Sequence, residues 1–208
     1  MNEPNLMPFQ DQPFNGDTFV QAEFLKLKEK FNIDRVIETG SCLYSTTKWL
    51  GENFESVKTI EINEEYSKYG IHKVKDMPNV TAIVGISSVE WLNQIASVYE
   101  SNPTTIHNFL HLFFLDAHWG DDCPLLQELE AISKLRTTQK PCIVIHDFKV
   151  PNEPTLGYDS IHGQPFEFDW IKPKLEMIYG VDGYDYYYNT DATATEIKRG
   201  LIYITPKI

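Results

Sequence analysis

The chain is poor in positive charge. Against 30 acidic residues it carries only 18 lysines and arginines, for a net charge of −12 and a pI near 4.9. Such a surface repels phosphate backbones and anionic lipid, which argues against nucleic-acid and membrane-surface partners. Cysteine is scarce too. Three in 208 residues cannot build a disulfide framework, and their spacing suits no zinc module. Cys42, Cys123 and Cys142 therefore read as buried thiols. No apolar run approaches the length of a membrane span. The N-terminus lacks the basic stretch and apolar run of a signal peptide. These absences predict a cytoplasmic, soluble protein in reduced surroundings.

What is present is an alternating pattern sized for a single domain over 1–208. Residues 1–16 are rich in Pro and Asn yet hold Phe9 and Phe14, which predicts an irregular arm packed on the domain, or a lid. Asp17 is placed to cap a helix whose apolar positions are Phe19, Phe24, Leu25 and Phe31. Short apolar runs follow at 35–39, 57–62, 80–85, 109–117 and 141–147. They are rich in β-branched and aromatic residues and suit strands buried on both faces. Helical stretches at 46–54, 64–75, 88–99 and 125–135 separate them. The series predicts an α/β fold, a Rossmann-like doubly wound, mostly parallel sheet with helices on both faces. A helix near 170–179 and a hairpin over 183–207 complete seven strands with an antiparallel C-terminal end. Between them, 151–170 carries three prolines, two glycines and several aromatics, the make-up of a substrate loop or lid.

Ligands of an open α/β sheet bind at the carboxyl ends of its strands. The first end reads VIETGSCLYSTTKWL. A dinucleotide site wants Gly-x-Gly-x-x-Gly there, so that backbone amides can approach a pyrophosphate. Only Gly40 is present, after the acid Glu38. That pair suits a ligand carrying an amino-acid ammonium better than phosphates. Glu61, 23 residues further on, can accept hydrogen bonds from both hydroxyls of a ribose. Ser87 and Ser88 sit at a helix start, where they cap it and can also read an adenine edge. The fourth and fifth runs end in FFLDAHWGDDCP and IVIHDFKVP. They deliver Asp116, His118 and Trp119 to one strand end and His146 and Asp147 to its neighbour. Asp121 and Asp122 suit a helix N-terminus rather than a metal site. Two carboxylates and two imidazoles thus converge. Such a set can take a proton from a weakly acidic hydroxyl or hold a cation that acidifies it.

Glu-Thr-Gly after strand one, Glu61 after strand two, Leu-Asp-Ala after strand four and the terminal hairpin resemble the class I S-adenosylmethionine-dependent methyltransferases over about residues 30–205. VIETGSCLYSTTKWL is similar to the subgroup of sugar O-methyltransferases, cephalosporin-hydroxylase-like proteins and macrocin-type enzymes. The resemblance implies S-adenosylmethionine held by Glu38, Thr39, Gly40, Ser41, Ser45, Glu61, Ile62, Ser87 and Ser88. It implies methyl transfer to a hydroxyl of a sugar or glycan, with rhamnose or another deoxysugar as a candidate. Asp116, His118 and Asp147 would be catalytic, with Asp116 or His118 as the base, and Asp116 and Asp147 would hold magnesium or manganese. Three departures stand out. Tyr44 replaces the subgroup's second glycine. Ile86 stands where many relatives have an acid. His146 replaces one of a pair of acids, so metal dependence stays open. Trp119, His146, Tyr158 and Trp170 are the expected substrate contacts, since aromatic faces and polar edges suit a sugar ring; Phe166, Phe168 and Trp170 equally suit a small core anchoring the loop. Two alternatives remain, an NAD-dependent oxidoreductase, against which the missing glycines argue, and a non-catalytic binding domain.

Overall fold

The computed structural model describes residues 11–101, 111–118, 122–135, 137, 139–194 and 196–207. Phe9, His107, Trp119 and Asp121 lie outside the described residues. Seven strands form one sheet: β1 (Arg35–Thr39), β2 (Ser56–Glu61), β3 (Val80–Val84), β4 (His111–Leu115), β5 (Cys142–Ile145), β8 (Tyr184–Tyr188) and β9 (Ile202–Pro206). A separate small hairpin pairs β6 (Ser160–Ile161) with β7 (Gln164–Pro165). The sheet order is β3-β2-β1-β4-β5-β9-β8. The first five strands pair in parallel, and β9 runs antiparallel between β5 and β8. The fold is the expected Rossmann-like sheet with an antiparallel end.

Strand periodicity sorts the core into two halves. Ile37, Phe113, Ile143, Ile145, Ile202 and Ile204 face one cluster. It is completed by α4 (Ser88–Ser101), α5 (Leu125–Ser133) and α6 (Phe168–Tyr179). Their neighbours Val36, Leu112, Phe114, Val144 and Tyr203 face the other cluster, against α1 (Thr18–Phe31) and α2 (Ser45–Asn53). Central strands buried on both faces explain why their sequences are apolar rather than alternating.

Residues 11–16 join this second half. Phe14 is buried, with ring centroids 4.8 Å from Phe24 and 5.4 Å from Phe114. Asp17 caps α1, accepting from Phe19 N (2.9 Å) and Val20 N (3.3 Å), and also accepts from the Thr193 amide and hydroxyl.

Several boundaries differ from expectation. The helix expected over 64–75 is α3 (Glu64–Gly70) followed by a 3-10 turn. At Gly70 a side chain would meet Leu43 O at 2.5 Å, so glycine lets α3 press on the turn after β1. The helix expected near 170 starts two residues earlier, at Phe168. The loop 151–170 contains the β6–β7 hairpin, turned by His162 and Gly163 at φ 49° and 81°, the left-handed pair that tight hairpins use.

The strand order reverses between β1 and β4, and there the site is built. Thr39 is level with Ile60 and Leu115, and Leu115 with Ile145, so the carboxyl ends of β1, β2, β4 and β5 form one rim. No helix among the described residues is long and apolar enough to cross a membrane.

Candidate active site

The turn after β1 is wound tightly. Gly40 (φ 82°) donates to Ile60 O at 2.9 Å, and a side chain there would meet Asp116 O at 2.3 Å. The turn therefore lies directly against the end of β4, which only glycine permits. Cys42 and Tyr44 also adopt positive φ. Tyr44 is fully buried beneath the turn, and its hydroxyl is 3.0 Å from that of Ser67. The bulky Tyr44 thus packs inward as core.

Glu61 holds the turn from the neighbouring strand. Its carboxylate accepts from Cys42 N (2.7 Å) and Asn63 N (2.8 Å). Glu38 points toward α2 and accepts from the hydroxyls of Thr47 and Thr59 (2.6 Å for the second). Burial pushes its pKa up to about 7, against the two threonine hydrogen bonds and with the help of nearby Asp116 and Glu61. The same acids, after burial, help raise the Cys42 thiol to about 11. Three carboxyl groups, those of Glu38, Glu61 and Asp116, thus lie near the turn. Ser41 bonds Thr59, and Ser45 is bonded by Lys73 Nζ at 2.8 Å. Ile62, next to Glu61, is 64% exposed, and Ser87 caps α4 by accepting from Glu90 N.

The reaction end is a compact ion cluster. Asp116 and His146 continue the rows of Phe114 and Val144 past the strand ends. His146 Nδ1 lies 3.2 Å from Asp116 Oδ1 and 3.3 Å from Asp147 Oδ2. His118 Nε2 lies 2.9 Å from Asp147 Oδ2 and 3.4 Å from Asp159 Oδ2. Arg199 closes the set, with Nε 3.1 Å from Asp147 Oδ1 and a guanidinium nitrogen 2.9 Å from Asp159 Oδ1. Asp147 sits at φ 55°, a strained position for a residue with a side chain. Burial opposes its charge, but His146 and the hydrogen bond from His118 outweigh burial and hold its pKa far below the usual carboxylate range. Burial likewise works against charge on both imidazoles. The neighbouring acids win, so both are raised above the ordinary histidine value, His146 strongly. Asp116, with 29% of its side chain exposed, is more open than Asp147 at 12%, while Asp159 at the rim is 39% exposed.

The expected residues Asp116, His118, His146 and Asp147 thus meet within hydrogen-bonding distance. His146, expected on the substrate side, is buried between the two acids. Tyr158 is exposed, with Lys149 Nζ 5.8 Å from its ring centre. Trp170 is half-buried and stacks on Phe166 (5.4 Å), which packs edge-on to His118 (4.9 Å). Thr39 and Ser88 are buried and face the carboxyl group of Glu128 on α5. The sequence gives no role to Glu128 or Arg199, and Asp159, expected on the substrate loop, joins the ion cluster through His118 and Arg199. Arg199 had a signal, being one of three arginines in the chain and standing just before a buried strand. A charge placed there must find partners.

No family model matches the chain, and no curated protein does. Solved structures do. An O-methyltransferase from Bacillus cereus, in complex with SAH, matches with a TM-score of 0.63 and 19% identity over 99% of this chain and 85% of that one. The O-methyltransferase TomG from Streptomyces achromogenes, involved in tomaymycin synthesis and in complex with SAM, matches with a TM-score of 0.62 and 16% identity, covering 91% of this chain and 80% of that one. The architecture these chains share is that of the class I methyltransferase fold.

Proposed function

We propose that the protein is an S-adenosylmethionine-dependent O-methyltransferase whose acceptor is a hydroxyl of a neutral sugar or glycan. The observation that carries the reading is the crowding of Glu38, Glu61 and Asp116 around the Gly40 turn, beside an ion cluster bearing the open carboxylate of Asp116. A pyrophosphate would be repelled there. A sulfonium and an ammonium would relieve the repulsion. Glu61, fixed at the end of β2 by the Cys42 and Asn63 amides, would accept from a ribose, and exposed Ile62 would offer an apolar face to an adenine. When bound, S-adenosylmethionine supplies an electrophilic methyl group. The acceptor oxygen would bond to that methyl carbon as its bond to sulfur breaks and S-adenosylhomocysteine leaves, Asp116 would take the hydroxyl proton, and His146 and His118 hold the two acids in place. Both structural neighbours described above are O-methyltransferases, which supports oxygen as the acceptor atom.

A divalent cation fits this centre poorly. Asp147 Oδ2 is shared by two imidazole nitrogens and its Oδ1 faces the guanidinium of Arg199. Asp116, His146 and Asp147 would be the ligands, since one atom from each lies within 4.8 Å of the others. An ion there would displace the hydrogen between His146 and the acids and compete with an arginine. Positive charge is already supplied by the chain.

The test is calorimetric titration with S-adenosylhomocysteine and with NAD, followed by a radiolabelled methyl-transfer screen over neutral sugars, with and without EDTA. Homocysteine-analogue binding and labelled sugar are expected, unchanged after chelation. NAD binding without S-adenosylhomocysteine binding sinks the reading. Activity lost to EDTA and restored by manganese overturns the metal-free form of it.

A further inference from the structure

A second surface lies beside the reaction centre. It is a groove of about 350 Å³ along the free edge of the sheet, lined by Lys149, Glu167, Phe168, Asp169, Tyr186 and Tyr188. Strand β8 explains it. Its alternate residues Tyr184, Tyr186 and Tyr188 point to the α6 side. Tyr184 contacts Tyr179, and Tyr188 stacks on Phe148 at 6.4 Å. Tyr186 stacks on Phe168 at 4.0 Å yet stays 43% exposed. Aromatic faces open to solvent on an edge strand are costly, because they invite pairing with another chain.

One wall of the groove is joined to the ion cluster through the backbone. Tyr188 is level with Ile202, which is level with Ile145 at the carboxyl rim. A ladder of backbone bonds (Asp159 N to Asp147 O, Phe166 N to Asp159 O, Lys149 N to Phe166 O) ties the groove's wall to the two acids. Its charge is selective. Lys149 is paired with Glu167 at 2.9 Å, which leaves Asp169 uncompensated among the groove's charged side chains. A nucleoside diphosphate would meet net negative charge. A neutral polyol would meet ring faces for its C–H surfaces and carboxylates to accept from its hydroxyls.

We propose that this groove binds the sugar unit next to the one methylated, so that the acceptor is a neutral oligosaccharide and not a nucleotide-linked monosaccharide. The inference rests on the glycan reading above. It assigns the reaction to a stage after a glycosyl transfer that has already released the nucleotide.

The probes are methyl glycosides, disaccharides and nucleoside-diphosphate forms of the same neutral sugars, rhamnose included, tested as acceptors with kcat and KM measured separately. Disaccharides are expected to show a KM at least tenfold below that of the methyl glycosides, and the nucleotide-linked forms to be the poorest. Tyr186→Ala should raise the disaccharide KM about tenfold with little change in kcat, and move the methyl glycoside KM less than threefold. Tyr186→Phe, which keeps the ring, should retain the preference for disaccharides. A nucleotide-linked sugar as the best acceptor overturns the proposal. So does a Tyr186→Ala defect equal for both acceptor sizes. Conversion of a dimer to a monomer by Tyr186→Ala, seen by sedimentation, also overturns it by showing that a second copy covers the edge. If S-adenosylhomocysteine binds but no sugar is methylated, the glycan reading and this inference fail together, while the methyltransferase reading survives.

Discussion

At the scale of single residues, the site depends on carboxylates held in unequal surroundings. Asp147 is an ion fixed by two imidazoles and an arginine, whereas Asp116 is more open and engaged through one oxygen. Of the two, Asp116 is the group free to take a proton. Asp116→Asn is expected to lower kcat by about 10²–10⁴-fold, the usual worth of a general base, and to leave S-adenosylhomocysteine affinity within about twofold on the same scale. A larger loss in His118→Gln than in Asp116→Asn, measured by single-turnover methyl transfer, would reverse the assignment. Glu38 makes a separate prediction about stability. Its folded pKa of about 7 lies above its ordinary value of 4.5, chiefly because it is buried. Between those values the folded chain holds a proton that the unfolded chain releases, so stability falls as pH rises from about 4.5 to about 7 and is level above. The difference is on the order of 3 kcal/mol. Glu38→Gln keeps the hydrogen bonds of Thr47 and Thr59 and loses the charge. In urea titrations it should match the parent near pH 4.5 and exceed it at pH 8. A gap that does not change with pH would remove burial of charge as its cause.

At the scale of elements, the sequence was most readable where one period dominates. Central strands such as PCIVIHD and FLHLFFLDA announce themselves by apolar residues on both faces, and the sheet sorts Phe113 from Phe114 and Ile143 from Val144 by the expected alternation. Asp17 before a 3.6-residue pattern marked the start of α1 correctly. What could not be read depended on contacts distant in sequence. Gly70 must be glycine because Leu43 lies against it, and nothing near residue 70 says so. Arg199 reaches Asp147 and Asp159 across the molecule, so its role needed the sheet to be closed first. The cap itself is testable. Asp17 satisfies two amides of α1 and also binds Thr193, tying the helix start to the segment before β9. Asp17→Ala should cost about 1–2 kcal/mol, the loss expected of a helix cap, and more than Thr193→Ala. Equal losses in the two variants, read from thermal unfolding, would show that the tertiary tie outweighs the cap.

At the scale of the whole molecule, the excess of acid becomes a selective field. A net charge of −12 is spread over the chain, and Glu38, Glu61 and Asp116 gather three carboxyl groups at the turn that would receive the donor. S-adenosylmethionine and S-adenosylhomocysteine differ by the sulfonium methyl and so by one positive charge, while sharing every group that could contact the protein apart from it. Salt separates field from contact. Screening shortens from about 30 Å at 0.01 M to about 3 Å at 1 M, so attraction from charges beyond direct contact is removed across that range. Raising salt should therefore weaken S-adenosylmethionine binding several-fold, while S-adenosylhomocysteine moves less than about twofold, a difference set by the screened term alone. Titrations should be run at pH 8, above the pKa of Glu38, where that acid adds its charge. At pH 6 most of Glu38 is protonated, so the salt effect on S-adenosylmethionine should shrink there. Parallel salt dependence for the two ligands at both pH values would mean that the acidic surface serves solubility and takes no part in choosing the donor.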